Sequence, residues 1–337
     1  MSFIKKNLYH FIGRYTRTRL FWRLSDWRCL FSFKLSAKRT TDELTMAEKF
    51  TTYWHQLDST QQEKVKEDLI RNLDDESIKQ VENFINRQIY IAHHEIISLG
   101  NLFTKEELRE QKECSREIRL LTKDLSRYNF NYLASECFYG ISGLRWLPQH
   151  ITERLKGGVF VDAGAYEGDT AIFLSMKYHP NHVYAFEPEA NNFAVLENNF
   201  SIAQTSVLLG INKGLSDTNL TADMIKDGSQ SRLGNGESAQ QSQFVCLDNW
   251  AKGLKPSRDI SLIKMDVEGA ERLALRGCEQ IIREQHPILA ISIYHGPEDF
   301  FLIKPWLEQI CPDYKFIIKK ATPYSLTGET MLLAYVD

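Results

Sequence analysis

The spacing of apolar residues along the chain changes at Gly157 and Gly158. Between residues 40 and 150, apolar side chains recur every three or four positions, as on the buried face of a helix. After the two glycines, short apolar runs alternate with helical stretches, which is typical of a parallel sheet built from β-α-β units. The pattern therefore predicts a helical region over residues 40–150 and an α/β domain over residues 151–337.

The second half of the chain is predicted to form a doubly wound, Rossmann-like α/β fold with a mostly parallel, seven-stranded sheet. The predicted strands are Val159–Ala163, His182–Phe186, Ser206–Leu209, Ser261–Met265, Ile288–Ile293, Tyr314–Ile318 and Thr330–Tyr335. Helices are expected to begin near Asp169, Ala190 and Ala270. The polar segment Asp217–Gln243 contains several glycines and is predicted to be a long loop or an irregular hairpin.

Polar residues with helix-capping patterns divide the region before the sheet into segments. The expected caps are Ser59 with Gln62, Asp74 or Asp75, and Thr104 with Glu107. No set of catalytic or metal-ligating residues is recognised in this region.

Composition and charge narrow the class of protein. The 337 residues are 43% hydrophobic and 25% charged, which excludes a predominantly disordered or fibrous chain. The net charge of −3 gives no reason to expect a nucleic-acid partner. No apolar run approaches the roughly 18 residues of a membrane span, and the six cysteines are so widely spaced that reduced thiols are expected. A cytoplasmic protein is therefore predicted.

The basic residues are concentrated at the start of the chain. Residues 1–39 contain ten lysines and arginines and one acid, Asp26, whereas the rest of the chain carries a net charge of −12. Aromatic residues such as Trp22 and Trp27 are interleaved with the basic ones. This combination suits peripheral contact with an anionic membrane at its inner face. The alternative is a helix whose aromatic side packs on the body of the protein and whose basic side is solvated.

The first candidate binding site is the turn after the strand Val159–Ala163, in the sequence VFVDAGAYEGDT. Asp162 lies at the end of the strand, and Gly164 and Gly168 let the backbone approach a ligand. A dinucleotide site would have the pattern GxGxxG here, and an acid beside it repels pyrophosphate but attracts the ammonium of a methionyl group. The pattern favours S-adenosyl-L-methionine over NAD, with an NAD-dependent oxidoreductase as the weaker alternative.

Further chemistry-bearing residues follow three other strands. Glu187 ends the second strand and is predicted to accept hydrogen bonds from ribose hydroxyls. Asp266 and Glu268 follow the fourth strand and His295 follows the fifth, so all three are expected near the reacting atoms. His295 is the best general base by its intrinsic pKa. No metal is predicted, although Asp266 and Glu268 could instead hold a magnesium ion.

Four sequence blocks in this order resemble the FkbM-type methyltransferases, which are enzymes with a Rossmann-like fold that use S-adenosyl-L-methionine. The blocks are VFVDAGAYEGDT, VYAFEPEANNFAVLENN, FVCLDNW and IKMDVEGAE, and the resemblance covers about residues 157–337. It implies transfer of a methyl group, usually to a hydroxyl oxygen of a sugar or a secondary metabolite. The cofactor-binding residues that it implies are Asp162, Gly164, Tyr166, Gly168, Glu187, Asp248 and Asp266.

The sequence therefore predicts an O-methyltransferase that acts on a hydroxyl of a glycan or of a glycolipid precursor. The candidate catalytic residues are His295, Asp266 and Glu268. One alternative is a non-catalytic cofactor-binding or scaffold subunit of a glycan-assembly complex. Another is methyl transfer to nitrogen or to another atom, because the fold alone does not determine the acceptor.

Overall fold

The structure is a computed structural model that describes residues 36–38, 41–94, 96–98, 102–225, 232–233, 240–254 and 259–337. Membrane contact is predicted for the basic segment, residues 1–39. This segment lies outside the described residues except for the backbone of the strand Ser36–Lys38. In the parts of the chain that the structure describes, no helix combines the length and the apolarity needed to cross a membrane.

The first part of the described chain is helical, as the apolar spacing predicts. Its elements are strand β1 (Ser36–Lys38), helices α1 (Thr41–Gln56), α2 (Ser59–Ile70) and α3 (Asp75–His93), strand β2 (Ile96–Ser98), helices α4 (Lys105–Leu125) and α5 (Ser135–Phe138), a 3₁₀ helix (Ile141–Trp146) and helix α6 (Gln149–Glu153). The short strands β1 and β2 pair with each other in antiparallel fashion.

Polar side chains at the helix starts accept hydrogen bonds from backbone N–H groups that have no partner within the helix. Asp74 caps α3 and Thr104 caps α4, both as predicted. The prediction for α2 is wrong by one residue, because Asp58 accepts the backbone hydrogen bond and Gln61 completes the capping box. Ser59 is the first residue of the helix instead.

The second half of the chain alternates strands and helices. The strands are β3 (Val159–Ala163), β4 (His182–Phe186), β5 (Leu208–Ile211), β6 (Gly214–Leu215), β7 (Leu220–Ile225), β8 (Arg232–Leu233), β9 (Gln240–Val245), β10 (Ile260–Met265), β11 (Ile288–Ser292), β12 (Lys315–Lys320) and β13 (Thr330–Tyr335). The helices are α7 (Asp169–Tyr178), α8 (Ala190–Ala203), α9 (Leu247–Ala251), α10 (Glu271–Arg276), α11 (Glu279–Gln285) and α12 (Pro297–Ile310).

Seven of these strands form a Rossmann-like, doubly wound sheet, which confirms the predicted fold class. The strand order is β12-β13-β11-β10-β3-β4-β5. The five strands from β11 to β5 are parallel, whereas β13 runs antiparallel between β11 and β12. The order reverses between β3 and β10, and ligand sites in such sheets lie at the carboxyl ends of the strands beside this point.

The segment that is predicted as a loop or an irregular hairpin forms part of a second, smaller sheet. Among the described residues, β7 pairs in antiparallel fashion with β9 and with β8, and β6 pairs in parallel with β9. The hairpin alternative is therefore confirmed. Met224 and Phe244 are buried on this sheet, while most of their neighbours are polar, and this explains why the segment does not stand out as apolar strands.

Helices α1 and α3 share a hydrophobic core with one face of the sheet. Phe50 of α1 and Phe84 of α3 pack against Phe300 of α12, and the rings of Phe84 and Phe300 lie 4.0 Å apart. Ser77 of α3 accepts a hydrogen bond from the backbone N–H of Ile318 in β12, at 3.0 Å. The cysteines that the structure describes are buried free thiols. The helices α1 and α3 are thus fixed against the sheet by apolar and polar contacts.

A buried group of three charged residues also joins the two regions, and we refer to Arg87, Glu107 and Lys320 as the Glu107 cluster. Arg87 of α3 donates two hydrogen bonds to the carboxylate of Glu107 in α4, at 2.9 and 2.6 Å. Lys320 of β12 donates to the same carboxylate and to the carbonyl of Ser325. Arg87 donates further to the carbonyls of Leu102 and Leu326.

Candidate active site

A cavity of about 970 Å³ opens at the carboxyl ends of the parallel strands. Its wall comes from the segments that follow β3, β4, β10 and β11, from the start of α12, and from one side of α1. The predicted site residues that line it are Gly164, Tyr166, Glu187, Asp266, Glu268 and His295. Three other predicted site residues, Asp162, Gly168 and Asp248, do not line this cavity.

The turn after β3 is held tightly between the neighbouring strands. The N–H groups of Gly164 and Ala165 both donate to the carbonyl of Phe186 in β4, at 3.0 Å. Gly164 has a φ of +75°, and a Cβ there would lie 1.7 Å from the carbonyl oxygen of Asp266. Only glycine fits this position, because both the backbone conformation and the contact exclude a side chain. The turn therefore presents backbone to the cavity.

Asp162 and Lys264 form a buried ion pair behind this turn. Asp162 in β3 is fully buried, and the Lys264 Nζ in β10 lies 3.1 Å from its Oδ1. The same Nζ donates to the carbonyl of Gly164, at 3.0 Å. Burial lowers the pKa of Lys264, but Asp162 and Asp266 outweigh it and hold the pKa above its usual range. In this structure, Asp162 supports the turn through Lys264 rather than from the cavity wall.

Glu187 lies at the end of β4 with its carboxylate facing the cavity. Its two oxygens accept hydrogen bonds from the N–H groups of Tyr166 and Glu189, each at 2.9 Å. Burial raises its pKa to about 7 despite these hydrogen bonds. A carboxylate has about four acceptor sites, so these two backbone hydrogen bonds leave acceptor capacity for a ligand hydroxyl. Glu187 thus lines the cavity, and its binding of a ribose stays a prediction.

His295 and three acids form a compact group at the ends of β10 and β11, and we refer to His295, Asp266, Glu268 and Glu271 as the His295 cluster. The Nδ1 of His295 lies 2.9 Å from Glu271 Oε1. Its Nε2 lies 3.5 Å from Asp266 Oδ1 and 3.4 Å from Glu268 Oε2. The sequence predicts that Asp266, Glu268 and His295 lie together, and the structure brings them together.

Glu271, which the sequence analysis does not single out, orients this group. It is fully buried, and its oxygens accept hydrogen bonds from the N–H groups of Val267 and Gly269, at 2.9 and 3.0 Å. Together with its contact to His295, these bonds lock the turn between β10 and α10. The sequence signal was the acid in the first turn of the helix, but only the fold shows that its side chain turns back to a histidine on another strand.

The electrostatics of the cluster change the role that the sequence suggests for His295. Burial lowers its pKa, but the carboxylates of Glu271, Asp266 and Glu268 outweigh burial and raise it to about 10. Burial raises the pKa of Glu268 to about 7, against the effect of His295. The imidazole is therefore cationic at neutral pH, and its intrinsic pKa does not qualify it as the base. Glu268 titrates in the range that suits a general base.

Asp248 does not line the cavity, because its carboxylate binds the start of a helix. Its carboxylate accepts hydrogen bonds from the N–H groups of Gln280 and Ile281, at 2.8 and 3.0 Å. These groups lie in the first turn of α11, where backbone N–H groups lack helical partners. Asp248, which lies in α9, thus caps the start of α11. The structure does not bring it to the other predicted cofactor-binding residues.

Several residues that line the cavity have no local sequence signal. Thr45, Lys49 and Thr52 lie on one side of α1, and Glu136 and Glu329 come from the segments at α5 and before β13. Burial raises the pKa of Glu136 to about 7 and that of Glu329 well above its usual value. Their contribution arises from packing between distant segments, which residue spacing along the chain does not reveal.

Comparison with known proteins identifies the domain that carries this site. Residues 162–319 match the family model described as the methyltransferase FkbM domain. The crystal structure of methyltransferase FkbM from Methylobacillus flagellatus KT aligns with a TM-score of 0.54 and 20% identity, over 81% of this chain. This chain spans 58% of the length of that protein. No significant match is found among curated proteins.

Two further solved structures are similar at a lower level. An rRNA methylase from Streptococcus thermophilus aligns with a TM-score of 0.37 and 14% identity, over 56% of this chain and 92% of its own. The M. jannaschii protein TYW2 in complex with AdoMet aligns with a TM-score of 0.31 and 16% identity, over 56% of this chain and 76% of its own.

The family match confirms the resemblance seen in the four sequence blocks, and with it S-adenosyl-L-methionine as the cofactor. The observed strand order confirms the Rossmann-like fold. Residues 162–319 of this chain thus correspond to the methyltransferase domain of the FkbM family.

Proposed function

We propose that this protein is an O-methyltransferase that transfers a methyl group from S-adenosyl-L-methionine to a hydroxyl of a glycan or a glycolipid precursor. One observation carries the proposal: the His295 cluster faces the same cavity as the turn after β3 and the Glu187 carboxylate. A site for the cofactor and a group of acid–base side chains therefore meet in one place, beside the reversal of strand order.

The cofactor side of the cavity fits S-adenosyl-L-methionine. A Cβ at Gly164 would fill the space against β10, so the bare backbone of the turn is available to the methionyl part of the cofactor. Glu187 has acceptor sites for the ribose hydroxyls. The many carboxylates around the cavity also favour a ligand that carries a positive sulfonium.

The charge of the cavity wall supports a neutral, hydroxyl-rich acceptor over a phosphorylated one. Carboxylates outnumber lysines and arginines in the lining, the acids being Glu48, Glu136, Asp169, Glu187, Asp266, Glu268, Glu298, Asp299 and Glu329, and the bases Lys49, Lys264 and Arg272. Carboxylates accept hydrogen bonds from sugar hydroxyls but repel phosphate. Tyrosine side chains in the wall, among them Tyr53, Tyr132 and Tyr294, offer apolar faces for packing and hydroxyls for hydrogen bonding.

The chemistry is a displacement in which atoms and charges balance. When bound, S-adenosyl-L-methionine supplies a methyl group whose carbon–sulfur bond breaks as the carbon–oxygen bond to the acceptor forms. The acceptor hydroxyl must lose its proton, and Glu268 or Asp266 takes it, because His295 already holds one. The cationic His295 stabilises the negative charge of Asp266 and Glu268, which lie beside its Nε2. The enzyme releases a methyl ether and the demethylated cofactor.

The test is a methyl-transfer assay with the full chain, a cofactor that carries a deuterated methyl group, and a panel of acceptors. The panel contains neutral oligosaccharides, amino sugars, sugar phosphates and lipid-linked oligosaccharides, with products read by mass spectrometry. We expect a deuterated methyl ether on a neutral sugar or on a lipid-linked one. A product methylated only on nitrogen would replace the O-methyl assignment, and cofactor binding without turnover on any acceptor would favour the scaffold alternative.

A further inference from the structure

The His295 cluster contains buried polar atoms that its internal contacts do not satisfy. The side chain of His295 is 6% exposed, and its Nε2 and the Oδ1 of Asp266 have no hydrogen-bond partner among the described residues. Buried polar atoms nearly always have partners, and those that do not require an explanation such as an ion. We propose that Asp266, Glu268 and His295 bind a divalent first-row cation of the Mn²⁺ type, with its remaining coordination positions open to the cavity.

The distances from the His295 nitrogen to the two carboxylates suit a shared ion. The His295 Nε2 lies 3.5 Å from Asp266 Oδ1 and 3.4 Å from Glu268 Oε2. Ligand atoms that bind one ion at about 2.0–2.2 Å are themselves separated by roughly 3.0–3.6 Å. The observed separations fall in this range, whereas they are long for direct hydrogen bonds.

Glu271 supplies the outer partner that metal-binding histidines usually have. It contacts His295 Nδ1 at 2.9 Å, on the side of the ring away from Asp266 and Glu268. Such a carboxylate fixes the ring orientation and leaves Nε2 to face an ion. Because both oxygens of Glu271 also accept backbone hydrogen bonds, it acts as a positioning residue rather than as a ligand.

The backbone of Glu268 has an unusual conformation that is typical of ligand sites. Glu268 has a φ of +55°, in the left-handed region that residues other than glycine, asparagine and aspartate rarely adopt. The next residue, Gly269, has a φ of +94°. Strained conformations of this kind concentrate at ligand sites. Here the turn directs the Glu268 carboxylate toward His295 Nε2 instead of into solvent.

The mixed ligand set indicates the kind of ion. Two carboxylates suit Mg²⁺ and Mn²⁺, and an imidazole suits first-row transition ions, so a set of both favours Mn²⁺ over Mg²⁺ or Ca²⁺. Binding of the ion displaces the proton from His295 Nε2, because only a neutral imidazole binds a cation. The ion would then lower the pKa of a coordinated acceptor hydroxyl and hold it in place. This role in turnover rests on the proposed function, whereas binding of the ion does not.

The experiment measures binding of Mn²⁺ alone to chelator-treated full chain, by the loss of the free Mn²⁺ signal in electron paramagnetic resonance. We expect one bound ion per chain. Asp266→Asn and Glu268→Gln should each weaken binding at least tenfold, and Glu271→Gln should weaken it by about 10–100-fold. The matched control is Glu48→Gln, which removes a carboxylate from the cavity rim but not from the cluster, and its affinity should equal that of the unchanged chain.

Each outcome decides the proposal. A free Mn²⁺ signal that the unchanged chain leaves intact up to millimolar Mn²⁺ overturns it, as does equal binding by the cluster variants and the control. If a variant unfolds, the increase in melting temperature that Mn²⁺ gives the unchanged chain replaces the comparison, and no increase overturns the site. Binding of Mn²⁺ without methyl transfer supports the site and counts against the proposed function. Turnover that is not reduced in protein from which a chelator has removed the ion supports the function and overturns the role of the ion in turnover.

Discussion

The Glu107 cluster and the His295 cluster are both buried groups of charged residues in the described part of the chain, but they are built on opposite principles. In the Glu107 cluster, two cations surround one carboxylate, and the remaining donors of Arg87 and Lys320 reach backbone carbonyls. In the His295 cluster, three carboxylates surround one imidazole, and polar atoms are left without hydrogen bonds among the described residues. Burial of charge alone therefore does not mark a functional site.

The difference lies in how the charges are satisfied and in what they face. The carboxylate of Glu107 has its pKa lowered to about 2, because hydrogen bonds and charge from Arg87 and Lys320 outweigh burial. It joins three elements and none of the three residues lines the cavity. The His295 cluster faces the cavity, and its like charges repel one another. The first arrangement stabilises the fold, whereas the second keeps ligand-binding capacity at a cost in stability.

The largest effect on activity is expected when a charge is removed from the His295 cluster, and this change tests whether the cluster serves function rather than stability. We expect His295→Ala to lower kcat by about 10²–10³ with little change in affinity for S-adenosyl-L-methionine, because Asp266 and Glu268 lose the imidazole that contacts both. The free energy of unfolding should fall less than for Arg87→Ala, because Glu271 keeps its hydrogen bonds from Val267 and Gly269 when the imidazole is lost. Kinetics, calorimetry and urea denaturation on the same samples provide the three readouts. Full activity with a large loss of stability would reverse the roles of the two clusters.

The converse change is Arg87→Ala in the Glu107 cluster. It leaves a buried carboxylate and several backbone carbonyls with fewer partners, so we expect a loss of about 3–5 kcal/mol in the free energy of unfolding. Urea denaturation measures this loss.

The control for Arg87→Ala is Lys66→Ala, which removes a partly exposed ion pair between Lys66 and Glu82 and should cost at most about 1 kcal/mol. Equal effects of the two substitutions would mean that the buried, hydrogen-bonded Glu107 cluster adds no more to the free energy of unfolding than a partly exposed ion pair does. Methyl transfer by folded Arg87→Ala protein should remain close to normal.

A smaller effect is expected at Glu187, another buried carboxylate, which combines both principles. Its oxygens accept backbone hydrogen bonds and also face the cavity. Glu187→Ala should weaken binding of S-adenosyl-L-methionine at least tenfold, because each hydrogen bond to a charged group contributes about 1.5–3 kcal/mol. Calorimetry with the cofactor measures the change.

Glu189→Ala is the matched control for Glu187. Glu189 caps α8 and does not line the cavity, so its loss should reduce stability by about 1 kcal/mol and leave cofactor affinity unchanged. Normal cofactor binding by Glu187→Ala would remove Glu187 from the binding site.

Much of the sheet could be predicted because its central strands are buried on both faces. Such strands appear as continuous apolar runs that end at an acid or a glycine, and β3, β4 and β13 have the predicted bounds. The edge strand β5 begins two residues later than predicted, since it is partly exposed and its apolar pattern is weaker. The helices beginning near Asp169, Ala190 and Ala270 also have the predicted starts to within one residue.

The candidate site could be predicted only as far as parallel strand ends determine it. Asp266, Glu268 and His295 come together because β10 and β11 are neighbours and parallel. The sequence does not reveal that Asp248 turns to another helix, or that Lys264 engages Asp162 behind the turn. Nor does it show that α1 reaches the cavity, because contacts between segments more than a hundred residues apart leave no local periodicity.

Helix α1 has consequences for directed evolution of this protein. Phe50 anchors it to Phe300 and Phe301 of α12, while Thr45, Lys49 and Thr52 face the cavity. The helix packs against α12, which follows β11, whereas the methyl donor is assigned to the turn after β3. A combinatorial library at the three cavity-facing positions can therefore retune which acceptors are used while the donor chemistry and the anchoring phenylalanine are inherited unchanged.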